Sequence, residues 1–244
     1  FVDKFSFSPK DLKELADYAH CIDISFASTP YSCEEVDFLL QQCSVPFIKI
    51  ASMEINNYPY LEYIAKTGTA IILSTGMADQ DEITRAVRCI TDAGNQNLCV
   101  LHCVSIYPAE AETINLNNIH TLRRLYEDLP IGYSDHTVGI EVPIAAVALG
   151  SPVIEKHFTL DSKKIGMDNQ MAMEPDEFRS MITSCNAAWS ALGCSQRVVS
   201  ELEVAQRANM RRSIVSKRAI KAGAIIEMAD LDFKQIGRAS CRER

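Results

Sequence analysis

The chain has 244 residues, 47% hydrophobic and 23% charged, which is typical of a soluble globular protein with one large core and a small addition. Its net charge of −8 argues against a general binder of nucleic acids or membrane surfaces. Nine cysteines without a CxxC pair are typical of reduced thiols in the cytoplasm. No apolar stretch is long enough to cross a bilayer, and no secretory signal is recognisable.

Short apolar runs alternate along the chain with amphipathic helical segments, a pattern that predicts a parallel sheet covered by helices. The predicted strands are residues 22–27, 47–50, 70–74, 99–104, 132–134 and 153–156. The predicted helices are residues 9–18, 34–42, 58–66, 80–93, 116–127, 142–149 and 176–192. Ser8 and Asp79 precede acidic first turns and are typical helix starts.

Six strands fit either an open doubly wound sheet or most of an eight-stranded barrel whose first two strands lie upstream of Phe1. Every predicted strand ends in small or polar residues. Active-site groups follow several strands in a (β/α)8 barrel, whereas an open sheet concentrates them at one switch point. The polar ends therefore favour an incomplete (β/α)8 TIM barrel. No GxGxxG or GxxxxGK[ST] motif supports a dinucleotide or P-loop site.

Two histidines, His136 and His157, end two consecutive predicted strands, and residues 140–150 between them suit a crossover helix. A strand–helix–strand unit makes its strands parallel neighbours, so both rings should emerge at the same carboxyl-terminal edge. Two imidazoles at one edge suit a borderline divalent metal, although a lone histidine in a strand is usually a packing residue. We therefore predict a metal site here.

The alternation of side chains along the last strand places Glu155 on the same face as His157, where it should orient a ligand or bind substrate. By the same rule, Lys156 and Asp135 should face the other way and pair with each other. The other histidines are predicted to be a buried packing residue (His102) and two surface residues (His20 and His120).

The predicted strand ends also contain one lysine, Lys49, among five short hydroxyl side chains. A phosphate needs several donors and a counter-charge, and this combination supplies both. Such hydroxyls often only cap the next helix, but five at one rim favour a phosphate cradle. The hydroxyl side chains are Thr29, Ser52, Ser74, Ser105 and Ser134.

Six strings in the chain resemble the sialic acid synthase (N-acetylneuraminate synthase) family, in the family's order and near its spacing. The resemblance extends from residue 1 to about residue 235. The strings are FASTP at 26–30, IKIAS at 48–52, ILSTGM at 72–77, HCVSIYP at 102–108, GYSDHT at 132–137 and EKHFT at 155–159.

In that family a (β/α)8 barrel precedes an antifreeze-like (SAF) domain. The resemblance implies a transferase that condenses phosphoenolpyruvate with an N-acylated mannosamine-type sugar, giving a nine-carbon 2-keto sugar acid and phosphate. It implies a divalent ion, usually Mn²⁺ with Mg²⁺ as an alternative. It also implies a homodimer when the protein is full length. The acceptor stays open among N-acetylmannosamine, its 6-phosphate, and the diacetamido precursors of legionaminic and pseudaminic acids.

The resemblance also implies roles for individual residues. His136 and His157 would hold the metal, and Tyr107 and Asp168 would contact the sugar. Lys49 and Glu155 would complete the catalytic set, and phosphoenolpyruvate would be held by Lys49, Thr29, Ser52, Ser74, Ser105 and Ser134. The family often has Asn in place of Ser105 and His in place of Asn169. The contact of residue 105 with phosphoenolpyruvate and the sugar pocket beside residue 169 should therefore differ here.

The remaining predictions concern the domains and the two ends. We assign residues 1–195 to the barrel, 196–212 to a linker helix and 213–235 to the start of the antifreeze-like domain. The family's glutamate base and a second phosphate-binding lysine are expected upstream of Phe1. Two barrel strands and most of the second domain are expected to be missing, so the chain as written should be inactive and its exposed sheet edges should promote aggregation.

Residues 236–244 match the in-frame translation of a common short-read sequencing adapter and are excluded from fold reasoning. The two adapter bases before them are AG, so the codon of Gln235 combines one native C with the adapter. The family places at this position an arginine that reaches the sugar in the partner's site. We therefore predict a native arginine at position 235, and a gene read with a codon that does not begin with C would refute it.

Two alternatives to the synthase remain. One is another phosphoenolpyruvate-dependent synthase of keto-deoxy sugar acids, which would lack the appended domain that residues 213–235 suggest. The other is a non-catalytic sugar-phosphate binder that kept the barrel. Manganese-dependent release of phosphate by the restored full-length protein would separate catalysis from binding.

Overall fold

The computed structural model describes residues 7–166 and 168–236, which divide into two compact units between Leu192 and Gly193. The five strands of the first unit are β1 (Phe47–Ile50), β2 (Ala70–Ser74), β3 (Leu98–Cys103), β4 (Ile131–Asp135) and β5 (Ile154–Lys156). The helices of the first unit are α1 (Pro9–Cys21), α2 (Cys33–Gln42), α3 (Tyr58–Lys66), α4 (Gln80–Asp92), α5 (Ala111–Ile114), α6 (Asn118–Leu125), α7 (Glu141–Ala148) and α8 (Pro175–Leu192).

The five strands form one parallel sheet in the order β1-β2-β3-β4-β5. Each pairs with the next along the chain because a helical segment crosses between them. Local sequence fixes the helix starts: the side chains of Ser8 and Asp79 accept hydrogen bonds from the backbone of Asp11 and Glu82, and both positions form capping boxes.

Side chains alternate between the two faces of the sheet. On the helix-covered face, Ile48, Leu73 and Val100 are fully buried in the apolar core. The opposite face carries Lys49 and Ser74, which line cavities. Because successive side chains of a strand point to opposite faces, one face of the sheet packs against the helices and the other carries the polar side chains of the cavity.

The sheet is strongly curled. Lys49 Nζ on β1 lies 3.5 Å from Glu155 Oε2 on β5, although these are the first and last strands of the sheet. In a flat sheet, four strand spacings would separate β1 from β5 by about 19 Å. The first unit is therefore a curled, parallel α/β half-barrel, and closure of an eight-stranded barrel remains a prediction.

The predicted strand at residues 22–27 is wrong. Among the described residues 7–166 and 168–236, β1 pairs with β2 alone, and residues 24–30 have no regular secondary structure. A strand requires a ladder of backbone hydrogen bonds, and hydrophobic alternation alone cannot supply its partner. The segment still bears on the site, because Thr29 lines the cavity and the carbonyl of Pro30 accepts a hydrogen bond from Tyr60 Oη (2.6 Å).

The second unit contains α9 (Glu201–Met210) and an antiparallel pair, β6 (Ser213–Ser216) and β7 (Leu231–Lys234). Arg218 Nε donates a 2.7 Å hydrogen bond to the buried Asp230 carboxylate. The assignment of this region to an antifreeze-like domain remains a prediction. Most of the proposed adapter segment, residues 237–244, lies outside the described residues.

In the part of the chain that the structure describes, no helix combines the length and the hydropathy needed to cross a membrane.

Candidate active site

A cavity of about 390 Å³ lies at the carboxyl ends of the strands. Ten of the eleven predicted site residues line it: Thr29, Lys49, Ser52, Ser74, Ser105, Tyr107, Ser134, His136, Glu155 and His157. The eleventh, Asp168, places Oδ2 3.8 Å from Nδ1 of His157. The structure thus brings together side chains from all five strands and from the loops that follow them.

Lys49 is the cation of this cavity. Its Nζ donates hydrogen bonds to Ser74 Oγ (2.8 Å) and to the carbonyl of Ile50 (3.1 Å), and it lies 3.5 Å from Glu155 Oε2. The Lys49 side chain is only 13% exposed, so water screens its charge weakly. The ammonium group is therefore held in one place and can interact strongly with an anion in the cavity.

The carboxylate of Glu155, on β5, contacts side chains of β1 and β4 inside the cavity. Ser134 Oγ donates a 2.6 Å hydrogen bond to Glu155 Oε1, while Glu155 Oε2 faces the ammonium of Lys49. The predicted inward orientation of Glu155 is confirmed. Both carboxylate oxygens have partners, so the carboxylate fixes the Lys49 and Ser134 side chains relative to each other.

The turn after β2 brings backbone close to the cavity. The amide of Gly76 donates a 2.9 Å hydrogen bond to Ser52 Oγ. A Cβ atom at this position would lie 2.1 Å from Ser105 Oγ and 2.9 Å from Ser52 Oγ. Only glycine allows this approach, so Gly76 is part of the hydroxyl cradle although it has no side chain.

His136 is held in a defined tautomer. Its Nδ1 lies 2.7 Å from the carbonyl oxygen of Val104, which can only accept, so Nδ1 carries the proton. In the neutral ring Nε2 then keeps a free lone pair, the state in which a histidine ligates a metal. The ring centroids of His136 and His157 are 5.2 Å apart.

That separation suits a shared ion. With metal–nitrogen bonds of about 2.1 Å and a tetrahedral angle, two imidazole centroids lie about 5 Å apart. In the described ranges, no group of three or more His, Cys, Asp and Glu side chains is arranged to hold a metal. A metal held between these two rings would therefore have no third His, Cys, Asp or Glu ligand among the described residues.

The two rings differ in their affinity for protons. Burial disfavours the charged form of His136, but contacts with Cys103 Sγ and the Val104 carbonyl outweigh it and raise the pKa of His136. Burial and the neighbouring His136 lower the pKa of His157. The lowered pKa favours the neutral ring of His157, in which a nitrogen lone pair is available to bind a metal.

Tyr107 packs against both histidines. Its ring centroid lies 4.2 Å from that of His136 and 5.9 Å from that of His157. Half of its surface is exposed, so it forms part of the cavity mouth. The position predicted to contact the sugar therefore lies beside the histidine pair.

The remaining histidines occupy the predicted environments. His102 is buried on the helix-covered face, with Nε2 2.7 Å from the carbonyl of Ile114. His20 and His120 are exposed on helices. None of the three lines the cavity.

Five residues that line the cavity were not predicted from the sequence, and Cys103 is the most central of them. Its Sγ lies 3.7 Å from Ser52 Oγ, 3.9 Å from Ser105 Oγ and 4.0 Å from His136 Nδ1. Its place at the end of β3, two residues after the inward-facing Leu101, was the available signal. The other missed residues are Tyr31, Ala51, Met53 and Met77.

The sequence model of the NeuB family matches residues 1–197. The chain is 42% identical to N,N'-diacetyllegionaminic acid synthase of Campylobacter jejuni, covering 96% of this chain and 70% of that protein. It is 36% identical to human N-acetylneuraminate-9-phosphate synthase, covering 93% of this chain and 63% of that protein.

Among solved structures, the chain is similar to the N-acetylneuraminic acid synthetase of Leptospira borgpetersenii, with a TM-score of 0.78 and 35% identity over 82% of this chain and 70% of that one. A truncated 3-deoxy-D-arabino-heptulosonate 7-phosphate synthase from Thermotoga maritima matches at 17% identity with a TM-score of 0.68, which shows a common fold alone. From the extent of the family match and the identity to these relatives, the chain belongs to the NeuB family.

Proposed function

We propose that this chain is part of an enzyme that condenses phosphoenolpyruvate with an N-acylmannosamine-type sugar, releasing phosphate and a nine-carbon 2-keto acid. The observation that carries the proposal is one cavity that contains both the Lys49–Ser74 donor pair and the paired rings of His136 and His157. An anion site beside a site for a divalent ion is what this reaction requires, because one substrate is a phosphorylated acid and the other an aldehyde.

Phosphoenolpyruvate would be held by Lys49 and the surrounding hydroxyl groups. It carries a phosphate and a carboxylate, so it needs many donors and at least one positive charge. Lys49 supplies the charge, and holding the methylene carbon (C3) of the substrate against the acceptor aldehyde supplies proximity. The hydroxyl groups that line this cavity are those of Thr29, Ser52, Ser74, Ser105 and Ser134.

His136 and His157 would hold the divalent ion, for which Mn²⁺ is the first candidate and Mg²⁺ the second. The residues fit such a group, because His136 presents Nε2 with Nδ1 bound to a carbonyl and the ring separation suits a shared ion. A bound divalent ion would act as a Lewis acid for the aldehyde oxygen of the sugar. Tyr107 and Asp168, which contact this pair, would bind the sugar itself.

Glu155 would keep the donors in place while the substrates bind. Its carboxylate accepts from Ser134 and faces Lys49, so it orients two of the groups that contact phosphoenolpyruvate. In the proposed reaction, the methylene carbon (C3) of phosphoenolpyruvate forms a bond with the aldehyde carbon at the expense of the C2–C3 double bond, and the aldehyde oxygen takes up a proton. Water then adds to C2 and gives up a proton, and phosphate leaves with cleavage of the C2–O bond, which produces the 2-keto group.

The test is an assay of phosphate release from phosphoenolpyruvate carrying ¹⁸O in the bridging oxygen, using a protein extended to the length of its relatives. The acceptors to compare are N-acetylmannosamine, its 6-phosphate, and the diacetamido precursors of legionaminic and pseudaminic acids. We expect phosphate release that depends on Mn²⁺ and on one of these acceptors, with the label in the phosphate. Release without an acceptor, or label retained in the organic product, would refute the proposal.

A further inference from the structure

Behind the cavity, on the opposite face of the sheet, Asp135 of β4 and Lys156 of β5 form an ion pair. Lys156 Nζ lies 2.5 Å from Asp135 Oδ2, and the two side chains are 1% and 0% exposed, respectively. The two residues are register partners in the parallel ladder, next to the pair Ser134 and Glu155. One cross-strand pair therefore faces the cavity and the next one is buried behind it.

The Asp135 carboxylate connects the chain on both sides of His136. It accepts hydrogen bonds from Tyr133 Oη (2.7 Å), from the amide of Thr137 (3.1 Å) and from Thr137 Oγ1 (2.9 Å). Lys156 Nζ donates in addition to the carbonyl of Thr137. The residues before and after His136 are thus tied to one ammonium group on the neighbouring strand.

Stability alone is a weak reason for such a pair. The loss of hydration of two buried charges often cancels their attraction, and apolar residues of similar volume commonly do as well. A buried ion pair with several hydrogen bonds does, however, fix geometry more narrowly than apolar packing. Asp135 immediately precedes His136, and Lys156 immediately precedes His157, so the pair fixes the backbone from which both rings project.

We propose that the Asp135–Lys156 pair is a positioning device that sets the separation of the His136 and His157 rings for a shared divalent ion. The proposal rests on the proposed function, in that it takes the ring pair to be the ion's site. The Asp135–Lys156 ion pair acts through the backbone of β4 and β5, because neither of its two side chains lines the cavity. Residues that orient metal ligands typically change metal affinity by about 10- to 100-fold when replaced.

The test compares the unaltered chain with Lys156→Met and with the double variant Asp135→Asn/Lys156→Met. The single variant leaves a buried carboxylate without its counter-charge and should lower the thermal midpoint most. The double variant removes both charges, so its thermal midpoint should recover relative to the single variant. We expect its affinity for Mn²⁺ alone, measured by electron paramagnetic resonance, to stay at least about 10-fold below that of the unaltered chain.

Asn95→Ala is the matched control. Asn95 is buried and donates to the carbonyl of Thr69 (2.8 Å), before β3 and away from the cavity. Its replacement should lower the thermal midpoint and leave the Mn²⁺ affinity unchanged. An equal loss of Mn²⁺ affinity in Asn95→Ala would show that general destabilisation explains the result, and would overturn the proposal.

A crystal structure of the double variant gives a readout that needs no metal. We expect the centroid separation of His136 and His157 to depart from 5.2 Å by more than about 0.5 Å. An unchanged separation together with unchanged Mn²⁺ affinity would overturn the positioning role. If the rings separate but the unaltered chain binds no Mn²⁺, the metal function fails and the positioning role stands.

Discussion

Lys49 Nζ and Glu155 Oε2, on the first and last strands of the sheet, lie 3.5 Å apart. The contact exists because the sheet curls, and it places a carboxylate beside Lys49, the one lysine that lines the cavity among the residues that the structure describes. An incoming anion would therefore share the Lys49 ammonium with Glu155. The ion pair also holds the Lys49 ammonium beside Glu155 and Ser74 before a ligand binds.

Replacing Lys49 by methionine should weaken binding of phosphoenolpyruvate by about 10- to 100-fold, because hydrogen bonds to charged groups contribute about 1.5–3 kcal/mol. Isothermal titration calorimetry with phosphoenolpyruvate measures the change. Lys66→Met is the control, since the Lys66 side chain is 63% exposed on α3 and pairs with Glu62. Equal affinity in Lys49→Met and Lys66→Met would contradict the assignment of Lys49.

Gly76→Ala should disrupt the hydroxyl cradle without a charge change. The added Cβ would lie 2.1 Å from Ser105 Oγ, which forces the hydroxyl or the turn to move. We expect the affinity for phosphoenolpyruvate to fall by about 10-fold or more, equivalent to the loss of one charge-assisted hydrogen bond.

Gly68→Ala is the comparison for Gly76→Ala. At Gly68, φ is +74° and a Cβ would meet no atom within 4 Å. This substitution should cost about 1–2 kcal/mol of stability through backbone strain and leave binding intact. Retained binding in Gly76→Ala would show that the cradle tolerates the displacement.

His136→Ala and His157→Ala should each lower the affinity for Mn²⁺ by more than about 100-fold, because the loss of a ligand exceeds the loss of a group that orients one. Titration of Mn²⁺ followed by electron paramagnetic resonance gives both affinities. His20→Ala, an exposed helix position, should bind Mn²⁺ like the unaltered chain. A metal affinity that survives removal of either ring would place the ion elsewhere.

The stability of the chain should depend on His102 at mildly acidic pH. Burial lowers the pKa of His102 below its ordinary value of 6.5, so below that pH the unfolded chain takes up a proton that the folded chain resists. The free energy of unfolding is therefore highest above about pH 6.5 and falls as the pH decreases.

His102→Gln keeps a donor for the Ile114 carbonyl and removes the titration. We expect a smaller loss of thermal midpoint between about pH 7.5 and pH 5.5 in His102→Gln than in the unaltered chain. His136 and His157 titrate in both proteins, so the difference isolates His102. The same loss in both proteins would contradict the prediction.

The sequence by itself determined the local structure and which polar and ionisable side chains the site contains. Strand periodicity set which side chains share a face, so the inward orientation of Glu155 and the outward pairing of Asp135 with Lys156 were predictable from alternation alone. Helix starts at Ser8 and Asp79 were predictable because capping is a contact between residues three apart.

Only the tertiary structure decided the contacts between distant strands. Pairing and curl depend on long-range hydrogen bonds and packing, and for that reason the strand predicted at residues 22–27 was wrong and the Lys49–Glu155 contact was not foreseen. The place of Cys103 among the site hydroxyls, and of Val104 as the group that fixes the His136 tautomer, likewise follows from how the strands pair. Such distances are set by the shape of the whole sheet, which no single segment encodes.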